Sequence, residues 1–135
     1  MAKPPVAAEL IWSGDLRFDA VSRGATVVVD GDSAAGPSPV QLLVISLAGC
    51  MSIDIVDILR KGRHPITAFR SDIIGERAPE PPTRLVRVRL EFHVQGAVPA
   101  DAVTRAIALS RDKYCSVWHS LRQDIELLTS FDITP

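Results

Sequence analysis

At 135 residues, 47% hydrophobic and 23% charged, the chain has the size and composition of one soluble domain, read here as spanning residues 1–135. A net charge of −1 and a pI near 6.3 give no electrostatic reason to expect nucleic acid or an anionic membrane as partner. The opening Met1-Ala2-Lys3-Pro4-Pro5-Val6 lacks the apolar core of a signal peptide, so a cytoplasmic protein is expected.

Ala7 to Ser13 and Leu16 to Ser22 read as strands separated by the turn pair Gly14-Asp15. The second alternates, with Leu16, Phe18 and Ala20 on one face and Arg17 and Asp19 on the other. Arg23-Gly24 then turns into the β-branched run Thr26 to Val29, which completes an antiparallel meander. After a polar loop, Ser38 and Pro39 suit an N-cap and a first helical position. The helix that follows, to Lys61, is apolar nearly all round through its first half, and Gly62 is read as its end. Ser46, Gly49, Ser52, Asp54 and Asp57 interrupt it, which suits a buried helix better than a membrane span of about 20 apolar residues.

Ile66 to Arg77 and Arg84 to Gln95 read as strands joined by the Pro-rich loop 78–83. In the second, Val86, Val88, Leu90, Phe92 and Val94 share a face opposite Arg87, Arg89, Glu91, His93 and Gln95, the pattern of a half-exposed antiparallel strand. A helix from Pro99 and Asp101 to about Arg111, a short helix over 116–123 and a strand over 125–133 complete the chain. The expected class is α+β, in the order βββ-α-ββ-αα-β. One sheet of about six strands covers only one side of the central helix. The uncovered face predicts a homodimer, with a monomer curled around its own helix as the alternative.

The chemistry rests on two thiols, Cys50 in the middle of the central helix and Cys115 at the start of the short one. In a cytoplasmic chain such a pair is more often redox-active, catalytic or metal-binding than a structural staple. Local physics favours Cys115 as the nucleophile, since a helix N-terminus with Arg111 and Lys113 nearby stabilises a thiolate. Cys50 could equally be a small buried hydrophobe, and Gly49 beside it would let another backbone come close. Cys115 and His119 stand four apart and could form half a zinc site, but no second pair is evident. Trp118 reads as core or as the wall of an apolar pocket. Glu76-Arg77 reads as a strand-end ion pair, with a reach to the site across the dimer as the alternative, and His64 reads as a helix-end residue.

Ser38-Pro39, Leu42-Leu43 and the run Leu47 to Lys61 around Ala48-Gly49-Cys50 resemble the central helix of the OsmC/Ohr family. Gly75-Glu76-Arg77-Ala78 and Ala106 to Ser110 leading to Lys113-Tyr114-Cys115-Ser116-Val117 are similar to its OsmC-like branch. The resemblance implies an intertwined homodimer with sheets packed around buried helices. It also implies a peroxidase that reduces organic hydroperoxides in oxidative stress defence. Cys50 would take the peroxide oxygen and Cys115 would resolve it, reversing the local ranking. No cofactor is implied beyond an external dithiol reductant. Where the Ohr branch carries a Glu ten positions before the first cysteine, this chain has Val40, with Gln41 beside it. Arg17 and Arg23 could each supply the activating Arg, and Arg23, in a turn, is the better placed. The alternative function on the same scaffold is a small-ligand-binding or oxidant-sensing protein without efficient peroxidase activity.

Overall fold

A computed structural model describes residues 3–135; Met1 and Ala2, part of the N-terminal stretch read above, lie outside the described residues. Contacts divide the chain into two compact units, one ending at Leu43 and one comprising Val44–Pro135. Among the described residues the strands form two three-stranded sheets, not the one sheet of about six expected from the strand count.

The first unit contains β1 (Glu9–Gly14), β2 (Arg17–Ser22) and β3 (Ala25–Asp30), an antiparallel meander as its alternation requires. Ser22 pairs with Ala25, leaving Arg23 (φ 50°) and Gly24 (φ 81°) as a two-residue loop with positive φ at both positions. That is the turn whose twist matches a right-handed hairpin. Much of the apolar surface of this sheet and its first turn is uncovered: Leu10, Ile11, Trp12 and Val27 on the strands and Leu16 in the turn are all exposed.

The loop after β3 is organised by Asp30, which is buried. Its Oδ1 accepts from the Asp32 N–H at 2.9 Å, and its Oδ2 accepts from Ala35 at 2.8 Å and Ala34 at 3.3 Å. The Ala35 and Asp32 amides, more than any nearby cation, hold this carboxyl below its ordinary range. The loop delivers the chain to Ser38, whose Oγ accepts from the Gln41 N–H at 3.2 Å. In return the Gln41 Oε1 accepts from the Ser38 N–H at 2.8 Å. This reciprocal pair is a capping box, and it fixes where the central helix begins.

α1 (Pro39–Lys61) starts there and continues into the second unit. It is long and apolar enough, by length and composition, to cross a membrane. Its Leu47, Met51, Ile55 and Leu59 nevertheless recur every fourth residue as a buried stripe inside the protein. The opposite surface is open, with Ile45 and Ile53 exposed, so one chain covers only part of the helix. Gly62 does not itself terminate α1 in the left-handed conformation; Arg63 does, at φ 60°. His64 N–H then bonds to Leu59 C=O and Arg63 N–H to Arg60 C=O, a Schellman closure that makes His64 the helix-end residue expected.

The sheet of the second unit contains β4 (Ile66–Arg77), β5 (Leu85–Gly96) and β6 (Glu126–Thr134). β5 is central, antiparallel to β4 and parallel to β6. Its alternation is realised: Val88, Leu90, Phe92 and Val94 are buried, while Arg89, Glu91 and Gln95 are exposed. Gly75 marks a close approach of sheet to helix, since a Cβ there would meet Leu85 at 2.8 Å and Val44 of α1 at 3.1 Å. Between β5 and β6 run α2 (Ala100–Leu109), a π-helical turn over Ser110–Tyr114, and α3 (Ser116–His119). Val103, Ala106, Ile107 and Trp118 close the core.

Candidate functional site

Both thiols belong to the second unit, and the fold brings them together. The sulfurs of Cys50 and Cys115 and a carboxylate oxygen of Asp54 all lie within 4.8 Å of one another. Side-chain rotation and small backbone adjustment can close such a gap to the roughly 2.05 Å of a disulfide. Cys50 and Asp54, four residues apart, share one face of α1. Cys115 arrives from the other side, at the end of the π-helical turn. The i to i+5 bonding of that turn is visible in the Cys115 N–H bond to Ser110 C=O at 2.8 Å.

The two sulfurs differ in access. Cys50 is half-buried and Cys115 fully buried. Cys115 is the N-cap of α3, where its sulfur accepts from the Trp118 N–H at 3.3 Å. Burial outweighs that donor and pushes the Cys115 thiol up to about 12, with the adjacent Cys50 sulfur adding to the rise. The cations credited with activating Cys115 are engaged elsewhere. Arg111 donates to Leu127 C=O at 3.0 Å and lies 6.0 Å from the Trp118 ring centre, while Lys113 sits over Tyr114 at 5.2 Å. The helix-start activation expected of Cys115 is opposed here: desolvation, a tertiary effect, exceeds the pull of one short helix.

Asp54 was read from the sequence only as one of the residues that interrupt the apolar helix. It accepts a 2.8 Å hydrogen bond from the Ser110 hydroxyl, and Ser110 is fully buried in the π-helical turn. The four-residue spacing from Cys50 was the available signal for Asp54; nothing in the sequence marked Ser110. Two sulfurs and one carboxylate are three possible metal ligands, one short of a closed zinc site, and His119 is not among them. A second such group, Asp72, Glu91 and His93, lies on the outer face of the β4–β5–β6 sheet.

The remaining residues singled out above fall into place individually. Arg23 occupies the tip of the β2–β3 turn, and Arg17 lies 3.6 Å from Asp15. Gln41 serves the capping box and also accepts from the Ser33 hydroxyl at 3.1 Å. Glu76 does form an ion pair, but across the sheet with Arg87 at 3.1 Å, whereas Arg77 donates to Thr83. Trp118 is core. A Cβ built on Gly49 meets nothing within 4 Å, so among the described residues no backbone makes the close approach expected there.

Comparison with known proteins agrees with this architecture. The profile of the OsmC family, described as OsmC-like protein, matches residues 30–130. Protein YhfA of Escherichia coli K12 is 34% identical over 129 residues, covering 93% of this chain and 96% of that protein. A hypothetical protein from Aquifex aeolicus VF5 superposes with a TM-score of 0.91 at 23% identity, covering 98% of each chain. An organic hydroperoxide resistance protein OsmC from Legionella pneumophila superposes at 0.72 with 14% identity, covering 98% of this chain and 99% of its own. With the βββ-α-ββ-α-β order, the long central helix and a paired Cys50 and Cys115 all in hand, this chain belongs to the OsmC-like protein family.

Proposed function

We propose that this protein is a cytoplasmic thiol peroxidase that reduces organic hydroperoxides, with Cys50 as the attacking thiol and Cys115 as the resolving one. The observation that carries the reading is the pairing of a half-buried sulfur with a fully buried one inside 4.8 Å. The reachable sulfur attacks, and the shielded one waits.

In the first step the Cys50 thiolate attacks the terminal peroxide oxygen. The O–O bond breaks, the alkoxide leaves with a proton as alcohol, and Cys50 becomes a sulfenic acid. In the second, the Cys115 sulfur displaces the sulfenic hydroxyl as water and forms the Cys50–Cys115 disulfide. An external dithiol then reduces that disulfide by exchange and is itself oxidised. The apolar character of α1 around Cys50 favours a hydrophobic peroxide over hydrogen peroxide. Arg23 and Gln41 remain supporting residues on the family resemblance alone. The name of the Legionella relative, organic hydroperoxide resistance protein, supports the same substrate class.

The reading includes an intertwined homodimer. It is supported by exposed apolar surface on the β1–β2–β3 sheet and on α1, where Ile53 is 70% exposed. The functional test is peroxide consumption with a dithiol reductant. Wild type turns over tert-butyl hydroperoxide and Cys50→Ser reduces the rate by at least roughly a hundredfold, because the nucleophile is gone. Unchanged turnover in Cys50→Ser contradicts the peroxidase reading.

A further inference from the structure

The fully buried Cys115 poses a chemical problem for the reaction proposed above. A resolving thiol must lose its proton as its sulfur attacks, yet Cys115 has no exposed surface from which water could take it. Its raised pKa leaves it protonated at neutral pH. Some group inside the site has to accept that proton.

Among the described residues, Asp54 is the carboxylate that meets both sulfurs within 4.8 Å. Among the described residues its single side-chain hydrogen bond comes from Ser110 at 2.8 Å to Oδ2, which leaves Oδ1 without a donor among them. No Arg, Lys or His among the described residues pairs with it. The groups facing it are Cys50 from α1, Cys115 from the end of the π-helical turn, and the Ser110 hydroxyl from the start of that turn. A carboxylate held by a buried hydroxyl, with no cation competing for it and a thiol beside it, is placed to take that thiol's proton. The turn itself is part of the device. Its wide i to i+5 loop starts with Ser110, which donates to Asp54, and ends at Cys115. Residues 56 apart along the chain, Asp54 and Ser110, are joined by one hydrogen bond at this point.

We propose that Asp54 is the general base for disulfide closure, with Ser110 as its positioning residue. This rests on the peroxidase reading. As the Cys115 sulfur attacks the Cys50 sulfenic sulfur, the thiol proton passes to the Asp54 carboxylate. The S–S bond forms, the S–O bond breaks, and Asp54 returns the proton to the departing hydroxide as water. Protons and charge balance, and Asp54 ends the step ionised as it began. The carboxylate has no such part in the first step, where its negative charge beside Cys50 gives no help to a thiolate.

The test follows the two steps separately. Protein is mixed with tert-butyl hydroperoxide and quenched. Cys50 sulfenic acid, trapped by dimedone, and the Cys50–Cys115 disulfide are then quantified by mass spectrometry across a pH series. Asp54→Asn keeps the side-chain shape and the Ser110 bond but cannot take a proton. It should form sulfenic acid at near the wild-type rate and close the disulfide roughly a hundredfold more slowly at pH 7. Its closure rate should then climb about tenfold per pH unit as Cys115 thiolate becomes available, while the wild-type rate stays comparatively flat. Ser110→Ala, which loses only the positioning hydroxyl, should show a smaller slowing in the same direction and guards against misfolding of the first variant. Closure at the wild-type rate in Asp54→Asn, a loss equal at every pH, or a block in sulfenic acid formation overturns the role of Asp54 and leaves the peroxidase reading standing. Wild type that forms neither sulfenic acid nor disulfide removes both together.

Discussion

At the scale of single residues, the site is defined by which effect wins at each sulfur. For Cys115 a favourable backbone donor and complete burial act in opposite directions, and burial prevails. This has a consequence for stability. A thiol whose folded pKa lies above its unfolded value of about 8.5 contributes stability that is fully present below that pH. The contribution is lost as pH rises from there toward about 12. The urea midpoint of the wild type should therefore fall between pH 8 and pH 10, and Cys115→Ala should show a shallower fall over the same range. Equal slopes in the two proteins contradict the buried, protonated state of Cys115. The sequence made the two cysteines conspicuous but not the surroundings of Cys115, because Arg111 and Lys113 are near it along the chain while their charged groups engage Leu127, Trp118 and Tyr114. Only family resemblance ranked Cys50 first. Asp54 was visible as a residue four after Cys50 but without meaning until Ser110 was placed against it.

Among the elements, legibility followed periodicity. β5 was read within a residue of its limits because its alternation is strict and the sheet covers one face only. The start of α1 was equally plain, since Ser38 and Pro39 announce it and Gln41 completes the box from three residues on. Its end was less so: the left-handed residue is Arg63, a position where glycine was the natural expectation. The segment after α2 was misread most. A helix to about Arg111 and another from Ser116 were anticipated, yet a π-helical turn fills the interval and sets the phase of Cys115. No residue type marks such a turn, because its extra residue is accommodated by packing. The pairing of β6 in parallel with β5 was also invisible, as alternation does not report strand direction.

On the scale of the whole molecule, the apolar surface left open is the fact that needs an explanation. Leu10 and Trp12 on the first sheet, Leu16 in the turn beside them, and Ile45 and Ile53 on α1 are too many exposed apolar side chains for a soluble monomer. A groove lined by Ser52, Ile53, Val56, Asp57, Arg60 and Phe69 runs along that open side of α1. The proposed dimer covers this surface, so the purified protein should sediment with the mass of two chains at micromolar concentration. Ile53→Asp, which puts a charge on the contact, should shift it toward one chain. A wild type that sediments as a single chain contradicts the dimer.

The central claim is that Cys50 and Cys115 act as one redox unit. The most direct measurement is mass spectrometry of the protein, digested under acid after exposure to one equivalent of tert-butyl hydroperoxide. The account predicts a Cys50–Cys115 disulfide within one chain, reversed by a dithiol. Two free thiols after exposure, or oxidation that stops at Cys50 with Cys115 untouched, would contradict it.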